Sequence, residues 1–131
     1  MTQAGSDKGC SVLLAEDDES IRSTLQTLLE MKGYAVRIAQ DTAETLELLR
    51  AQDFDLIISD YLMPGGGGRE ILRFLNERGK SPAVIMITGL ADEQLFGELM
   101  AEGVDRCLSK PFRLAALLVT IEEVMAGRRD G

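Results

Sequence analysis

Five short apolar runs alternate with helical segments along this chain, and no other feature constrains its fold as strongly. The runs cover residues 12–15, 35–39, 56–59, 83–87 and 106–109. The first, third and fourth runs are almost continuously apolar, which is typical of strands that are covered on both faces. The alternation of strands and helices predicts an α/β fold, with a parallel sheet, right-handed crossovers and helices on both faces.

Helical periodicity is clearest in the first and last helical segments, where apolar residues at i, i+3 or i+4, and i+7 form one face. These faces contain Ile21, Leu25, Leu28 and Leu29 in the first helix, and Leu114, Leu117, Leu118 and Ile121 in the last. Weaker patterns predict three further helices at residues 42–52, 69–78 and 93–102. Short acidic side chains that precede helices are expected to be N-caps, at Asp18, Asp41 and Asp92.

The chain has 131 residues, which is the size of a single domain. Residues 11–126 form the predicted domain, whereas residues 1–10 and 127–131 are predicted to be flexible, the latter as a tail or linker stub. The formal net charge of −8 disfavours nucleic acids and anionic membranes as direct partners. No apolar stretch approaches the roughly 20 residues of a spanning helix, so we expect a soluble, cytoplasmic protein.

Acidic, hydroxyl and basic residues follow the predicted strands at the point where each strand ends. Glu16 and Asp17 follow the first strand, Asp60 follows the third, Thr88 the fourth and Lys110 the fifth. The carboxyl ends of parallel strands meet at one edge of a sheet, where the ligands of such folds bind. We therefore expect these side chains to converge on one site.

The residue types that are missing limit the chemistry of that site. The chain contains no histidine, and its two cysteines, Cys10 and Cys107, lack the spacing of a metal site. Both cysteines are expected to be reduced residues of the core or its edge. Any chemistry must therefore use carboxylates, hydroxyl groups and lysine.

The carboxylates of Glu16, Asp17 and Asp60 would repel one another unless a cation lies among them. An all-oxygen donor set favours Mg²⁺ over zinc, with Mn²⁺ as a candidate substitute. Asp60 could then attack a phosphoryl group in line, while the metal and Lys110 share the developing charge and Thr88 donates its hydroxyl. The pattern thus predicts a site for phosphoryl transfer to a carboxylate.

These motifs together resemble the receiver domain of two-component response regulators, over about residues 11–126. The matching segments are Leu13-Leu14-Ala15-Glu16-Asp17-Asp18, Asp60 with Met63-Pro64, Thr88-Gly89, and Lys110-Pro111-Phe112. The resemblance implies a flavodoxin-like, doubly wound sheet of five parallel strands in the order 2-1-3-4-5, with five helices. It also implies that Asp60 accepts a phosphoryl group from a sensor histidine kinase or a histidine phosphotransfer protein.

By the same resemblance, Asp17, Asp60 and the backbone carbonyl of Leu62 ligate Mg²⁺, and Glu16 acts mainly through water. Lys110 is implied to bind the phosphoryl group. The expected product is an aspartyl phosphate on the protein itself, so turnover of external substrates is not expected.

The resemblance further implies that Thr88 is a switch hydroxyl that moves toward the phosphoryl group. The response is then a shift in population at the surface of the fourth helix, fifth strand and fifth helix. Such a domain signals through protein contacts, and homodimerisation is one form that they could take. A stand-alone regulator and a receiver within a longer protein fit the sequence equally well.

Three positions depart from the family pattern. Cys107 occupies the place of the usual switch aromatic, so the response at the output surface is expected to differ. Glycines 65–68 stand where the family has an acid or amide before one glycine, which predicts a looser loop. Leu62 and Leu90 lie beside the expected path of the attacking water, and we expect them to slow the loss of phosphate.

Other classes of function remain open at this stage. A receiver-like scaffold could signal without phosphorylation. A Mg²⁺-dependent aspartyl phosphatase would also use an aspartate nucleophile, but its second acid, two residues later, is replaced by Leu62. A flavodoxin-like cofactor binder would have only Tyr34 and Tyr61 for ring stacking, because the chain contains no tryptophan.

Overall fold

The computed structural model of the protein describes residues 10–89 and 92–130. Residues 1–9 of the predicted flexible N-terminal segment, and residue 131, lie outside this part. The strands are β1 (Ser11–Ala15), β2 (Ala35–Ala39), β3 (Leu56–Asp60), β4 (Ala83–Thr88) and β5 (Arg106–Ser109). The helices are α1 (Glu19–Met31), α2 (Thr42–Ala51), α3 (Gly68–Arg78), α4 (Glu93–Ala101) and α5 (Leu114–Asp130). Every predicted strand and helix is therefore present.

The strands form one parallel sheet in the order β2-β1-β3-β4-β5. The predicted flavodoxin-like, doubly wound fold with five helices is confirmed. The three central strands are buried almost throughout, whereas the edge strands β2 and β5 are partly exposed. The continuously apolar runs of the sequence thus correspond to the strands that helices cover on both faces.

Two apolar cores lie on opposite faces of the sheet. One packs beneath α1 and α5, and the other packs beneath α2, α3 and α4. Successive residues of β1 alternate between them, since Val12 and Leu14 enter the first core while Leu13 and Ala15 enter the second. This double coverage fixes the register of each central strand and therefore the positions of the residues at its carboxyl end.

The predicted apolar faces of the first and last helices are largely confirmed. Leu25 and Leu29 of α1 are buried, as are Leu117 and Ile121 of α5. Leu114 departs from the prediction and is 41% exposed, because it is the first residue of α5 and precedes the turns that pack on the sheet.

Aspartate side chains cap three helices as predicted. Asp18 accepts a hydrogen bond from the amide of Ile21 at 3.0 Å, and Asp41 accepts one from Glu44 at 2.8 Å. Asp92 accepts one from the amide of Gln94 at 2.9 Å at the start of α4. Each capped helix begins within five residues of the carboxyl end of the preceding strand.

The last helix is longer than the sequence indicates. Residues 127–130, predicted to belong to a flexible tail, are helical. Met125 is buried in the core, and the Arg128 guanidinium donates hydrogen bonds to the Asp105 carboxylate at 3.4 Å and to the carbonyl oxygen of Ser81. These contacts hold the last turns of α5 against the loops that precede β4 and β5. Within the described residues, no helix is both long and apolar enough to cross a membrane.

Candidate functional site

Three carboxylates meet at the carboxyl ends of β1 and β3. Asp60 is the last residue of β3 and is 6% exposed, and Glu16, directly after β1, is 1% exposed. Asp17 is exposed, yet one carboxylate oxygen from each of the three residues lies within 4.8 Å of the others. The predicted convergence of these acids is therefore seen in the structure, and the resulting cluster offers the oxygen donors that a hard divalent cation prefers.

Lys110 reaches the same cluster from the end of β5. Its Nζ atom lies 2.8 Å from Oδ2 of Asp60 and 3.2 Å from Oε1 of Glu16. The backbone amide of Lys110 donates to the carbonyl oxygen of Thr88 at 2.8 Å, so the ends of β4 and β5 are held together. The bond between Lys110 and Pro111 is a cis peptide. One ammonium group thus contacts both buried carboxylates.

The burial of these groups changes their proton affinities. Burial is the largest influence on Glu16 and raises the pKa of its carboxyl group, and the nearby Asp60 charge raises this pKa further. The hydrogen bond from the Asp18 amide and the Lys110 ammonium lower the pKa but do not cancel the rise. Burial alone would lower the pKa of Lys110, but its hydrogen bond and charge interaction with Asp60, together with those of Glu16, raise it above its usual value. Lys110 is therefore held firmly in its charged form.

Thr88 lies beside this cluster in the sheet, whereas Cys107 lies on β5, two residues before the end of the strand. Thr88 ends β4 and is 1% exposed, and the residue before it, Ile87, pairs with Asp60 across the β3–β4 ladder. Cys107, on β5, lies opposite Met86 of β4 and is partly buried against the second core. Burial raises the pKa of its thiol, which favours the neutral form.

Of the two leucines expected beside the path of the attacking water, the structure describes Leu62 but not Leu90. The Leu62 side chain is 57% exposed, and its backbone amide lies 3.4 Å from Oδ1 of Asp60. Leu90 lies outside the described residues. The proposed effect of the two leucines on phosphate loss therefore stays a prediction, as does the role of the Leu62 carbonyl as a metal ligand.

Comparison with known proteins gives the family. The sequence profile described as "Response regulator receiver domain" matches residues 12–122, which is most of the chain. The chain belongs to this family. Receiver domains are signalling domains rather than enzymes that turn over substrates, and they bind Mg²⁺ at an acidic pocket. The cluster of Glu16, Asp17 and Asp60 fits such an ion.

Individual relatives of this receiver domain include transcriptional regulators. The transcriptional regulatory protein FixJ of Azorhizobium caulinodans is 38% identical over 110 residues, which cover 84% of this chain and 52% of that protein. The C4-dicarboxylate transport transcriptional regulatory protein DctD of Pseudomonas aeruginosa is 36% identical over 124 residues, or 94% of this chain and 27% of that protein. The chain therefore spans about half, or less, of the length of these relatives.

Solved structures agree with the sequence relatives. The chemotaxis response regulator CheY4 of Vibrio cholerae has a TM-score of 0.83 and 31% identity, covering 89% of this chain and 99% of that chain. The signal receiver domain of an HD domain-containing protein from Pseudomonas fluorescens has a TM-score of 0.84 and 29% identity, covering 95% and 100%. The receiver fold is thus matched over nearly the whole length of both structures.

The second half of the glycine-rich loop of this receiver domain, Gly67 and Gly68, is buried and closely packed. The amide of Gly67 donates to Oγ1 of Thr42 at 2.8 Å, and the amide of Gly68 donates to the carbonyl oxygen of Tyr61 at 2.8 Å. A Cβ atom on Gly67 would lie 2.2 Å from that carbonyl oxygen, and one on Gly68 would lie 2.8 Å from the sulfur of Met86. The absence of side chains at Gly67 and Gly68 is therefore what allows this half of the loop to pack closely. Gly65 and Gly66 are exposed, so the predicted loose loop is contradicted at Gly67 and Gly68 and stays a prediction at the other two glycines.

Three further residues organise the site without a clear signal in the sequence. The guanidinium of Arg22, in the first turns of α1, donates to the carbonyl oxygen of Glu16 at 2.9 Å and so holds the loop that carries two acids. Thr42, buried at the start of α2, holds the glycine loop as described above. Arg69 joins the residue after Asp60 to α4. All three contacts join separate segments, so periodicity and motif spacing do not reveal them.

Proposed function

We propose that this receiver domain is a phosphorylation-driven switch, in which Asp60 accepts a phosphoryl group from a histidine kinase or a histidine phosphotransfer protein in a Mg²⁺-dependent reaction. The observation that carries the proposal is the pairing of a buried Asp60 carboxylate with Lys110 at 2.8 Å inside a cluster of acids. An aspartate with a purely structural role needs only one partner. The Asp60 carboxylate instead lies beside the Lys110 ammonium and close to two other carboxylates that could bind a metal ion. Such an arrangement suits the transfer of a dianionic group.

Asp60 supplies the nucleophile in this reaction. One of its carboxylate oxygens forms a new O–P bond while the N–P bond of the donor phosphohistidine breaks, and the released imidazole nitrogen keeps the electron pair of that bond. Glu16, Asp17, Asp60 and the carbonyl of Leu62 would hold Mg²⁺, which would neutralise part of the phosphoryl charge. Phosphorylation of the protein is the outcome, and no external substrate is turned over.

Lys110 and Thr88 act on the transferred group. The Nζ atom of Lys110 already contacts the side-chain oxygens of Asp60 and Glu16, so a small movement lets it donate to a phosphoryl oxygen. The hydroxyl group of Thr88 donates a hydrogen bond to another phosphoryl oxygen, and this contact draws the end of β4 toward the site. With a thiol at Cys107 in place of an aromatic ring, the change passes to the protein surface through other contacts, and partner proteins in the cytoplasm read it.

Intact mass after incubation with acetyl phosphate tests the proposal. The samples are the wild-type protein with Mg²⁺, the wild-type protein with chelator, Asp60→Asn with Mg²⁺, and Asp55→Asn with Mg²⁺. Asp55 is a matched control because its carboxylate accepts hydrogen bonds from Ser11 at the opposite end of β3. We expect one phosphate on the wild type and on Asp55→Asn, and none in the other two samples.

The contrary results are equally informative. A phosphate adduct on Asp60→Asn would show that another residue is the acceptor. An adduct on the wild-type protein in chelator would show that the reaction does not need the metal ion. A folded wild-type protein that takes no phosphate from acetyl phosphate or from a phosphorylated histidine donor would favour a scaffold that signals without phosphorylation.

A further inference from the structure

Arg69 forms a bridge between the residue that follows Asp60 and helix α4. It is the second residue of α3, and its Nε atom donates to the hydroxyl oxygen of Tyr61 at 3.0 Å. Its two terminal nitrogens donate to Glu102 at 2.6 Å and to Glu98 at 3.1 Å, both in or directly after α4. The guanidinium carbon also lies 6.0 Å from the centre of the Tyr61 ring. We call this set of contacts the Arg69 bridge.

Tyr61 connects the Arg69 bridge to the backbone of the phosphoryl site. It follows Asp60 directly, and its amide donates to the carbonyl oxygen of Ile87 at 2.7 Å. Its own carbonyl oxygen accepts from the amide of Gly68 at 2.8 Å. Tyr61 is therefore tied on one side to the residue before Thr88 and on the other to the residue before Arg69. A movement of the backbone at the ends of β3 and β4 would therefore act on the Arg69 bridge through a single residue, Tyr61.

The acidic partners of Arg69 lie one helical turn apart on α4. Glu98 and Glu102 would repel each other at this i, i+4 spacing, and Arg69 pairs with both and so offsets part of that repulsion. The three side chains are each 40% to 47% exposed, so either ion pair alone contributes little stability in water. Contacts of this kind can hold a helix in one position and can also be broken by a modest force.

We infer that Arg69 is a positioning residue that holds α4 in its resting place and thereby opposes the response to phosphorylation of Asp60. The inference rests on the proposed function. Thr88 ends β4 and Asp92 caps α4, so a pull on Thr88 acts on the first turn of α4 while the Arg69 bridge holds the last turn. By thermodynamic reciprocity, releasing the bridge must tighten the binding of a phosphoryl analogue at Asp60.

Hydrogen exchange and analogue binding together test this role. Arg69→Met removes the charge and keeps an unbranched apolar stem. Arg73→Met is the matched control, because the ion pair of Arg73 among the described residues stays within α3, with Glu70 at 3.5 Å. The double variant Glu98→Gln and Glu102→Gln breaks the bridge from the other side. Beryllium fluoride with Mg²⁺ serves as the phosphoryl analogue, and exchange is followed by mass spectrometry on peptides that cover α4.

We expect Arg69→Met and the double glutamine variant to raise amide exchange in α4 without the analogue. Both should also bind beryllium fluoride about fivefold more tightly than the wild type, which is the lower end of typical coupling between sites. Arg73→Met should match the wild type in both measurements. Denaturant unfolding of each variant checks that it is folded under the conditions of the test.

Two results would overturn the inference. Unchanged exchange in α4 of Arg69→Met would show that the bridge does not hold the helix, and raised exchange with unchanged analogue affinity would show a purely structural contact. Failure of the wild type to bind beryllium fluoride would instead count against the proposed function, and the exchange of resting α4 would still test the bridge.

Discussion

Gly67 and Gly79 provide a matched pair for testing how closely the glycine loop is packed. Both residues have a positive φ, at 64° for Gly67 and 67° for Gly79, and both flank α3. Their surroundings differ, because a Cβ atom on Gly79 would meet nothing within 4 Å. A Cβ atom on Gly67 would lie 2.2 Å from the carbonyl oxygen of Tyr61 and 3.0 Å from the amide nitrogen of Met63. Replacing each glycine with alanine therefore compares a site that has backbone strain alone with a site that has both backbone strain and a steric clash.

The expected magnitudes follow from this geometry. Gly79→Ala places alanine in the left-handed helical region, which costs about 1–2 kcal/mol and is offset by about 0.4–1 kcal/mol from the stiffer unfolded chain. Gly67 combines its φ with a ψ of −142°, close to a region that only glycine populates, at a cost of about 1–3 kcal/mol. The clash is with backbone, and the Tyr61 oxygen also accepts the Gly68 amide. We therefore expect Gly67→Ala to lose at least about 2 kcal/mol more than Gly79→Ala.

Urea denaturation with linear extrapolation measures both losses, and a Mg²⁺ titration adds a functional result. The loop that must shift in Gly67→Ala begins at Tyr61 and includes Leu62, whose carbonyl is a proposed metal ligand. Mg²⁺ affinity should fall in Gly67→Ala and stay at the wild-type level in Gly79→Ala. If the two alanine variants differ in stability by less than about 0.5 kcal/mol, the loop can relax around a side chain and the packing argument is wrong.

Three further predictions concern the charges and contacts around Asp60. Lys110→Met should lower the free energy of unfolding of the metal-free protein by about 3 kcal/mol, the lower end for breaking a buried ion pair, because two buried carboxylates lose a cation that is itself 25% exposed. Saturating Mg²⁺ should recover most of that loss, and equal losses in denaturant titrations with chelator and with Mg²⁺ would contradict this. The raised pKa of Glu16 means that the folded state binds a proton more tightly than the unfolded chain, so the stability of the metal-free protein should fall as pH rises from 4.5 through that pKa. Glu16→Gln should remove this fall in thermal melts over a pH series, and an unchanged profile would assign the titration to another group. Thr42→Val should cost about 1–3 kcal/mol in urea denaturation by leaving the Gly67 amide without its acceptor, whereas Thr42→Ser should cost less.

The fold could be predicted because its signals are local in the sequence. The central strands are read from their own apolar runs, and the caps at Asp18, Asp41 and Asp92 are read from their position before a helix. The residues at strand ends could be assigned to one site because parallel strands must end at a common edge. Convergence of Glu16 and Asp60 therefore follows from topology, without knowledge of any distance.

The remaining features depend on pairs of residues that are distant in the chain. In the sequence, glycines 65–68 indicate flexibility. Only their neighbours in the structure, Thr42 beside Gly67 and Met86 beside Gly68, show that the last two glycines are required for close packing. The end of α5 contains Gly127 and charged residues, which resemble a loose tail until Arg128 is seen to contact Asp105. Local patterns describe what a residue prefers, whereas these outcomes were decided by its neighbours in space.

The charges of the site indicate why phosphorylation should have a structural effect at all. With the carboxylates of Glu16, Asp17 and Asp60 ionised, the Lys110 ammonium leaves two net negative charges, which one divalent cation would cancel. The proposed phosphorylation would replace the single charge of Asp60 with a group that carries about −1.5 to −2 near pH 7. The site then has an excess of negative charge in a largely buried position, so nearby donors are attracted to it. Lys110 is already in contact, and Thr88 is the hydroxyl at the end of the neighbouring strand, so the excess charge acts next on the segment that leads to α4. Because the Arg69 bridge contacts the opposite end of that helix, we expect the balance between these two interactions to set how far the proposed switch moves.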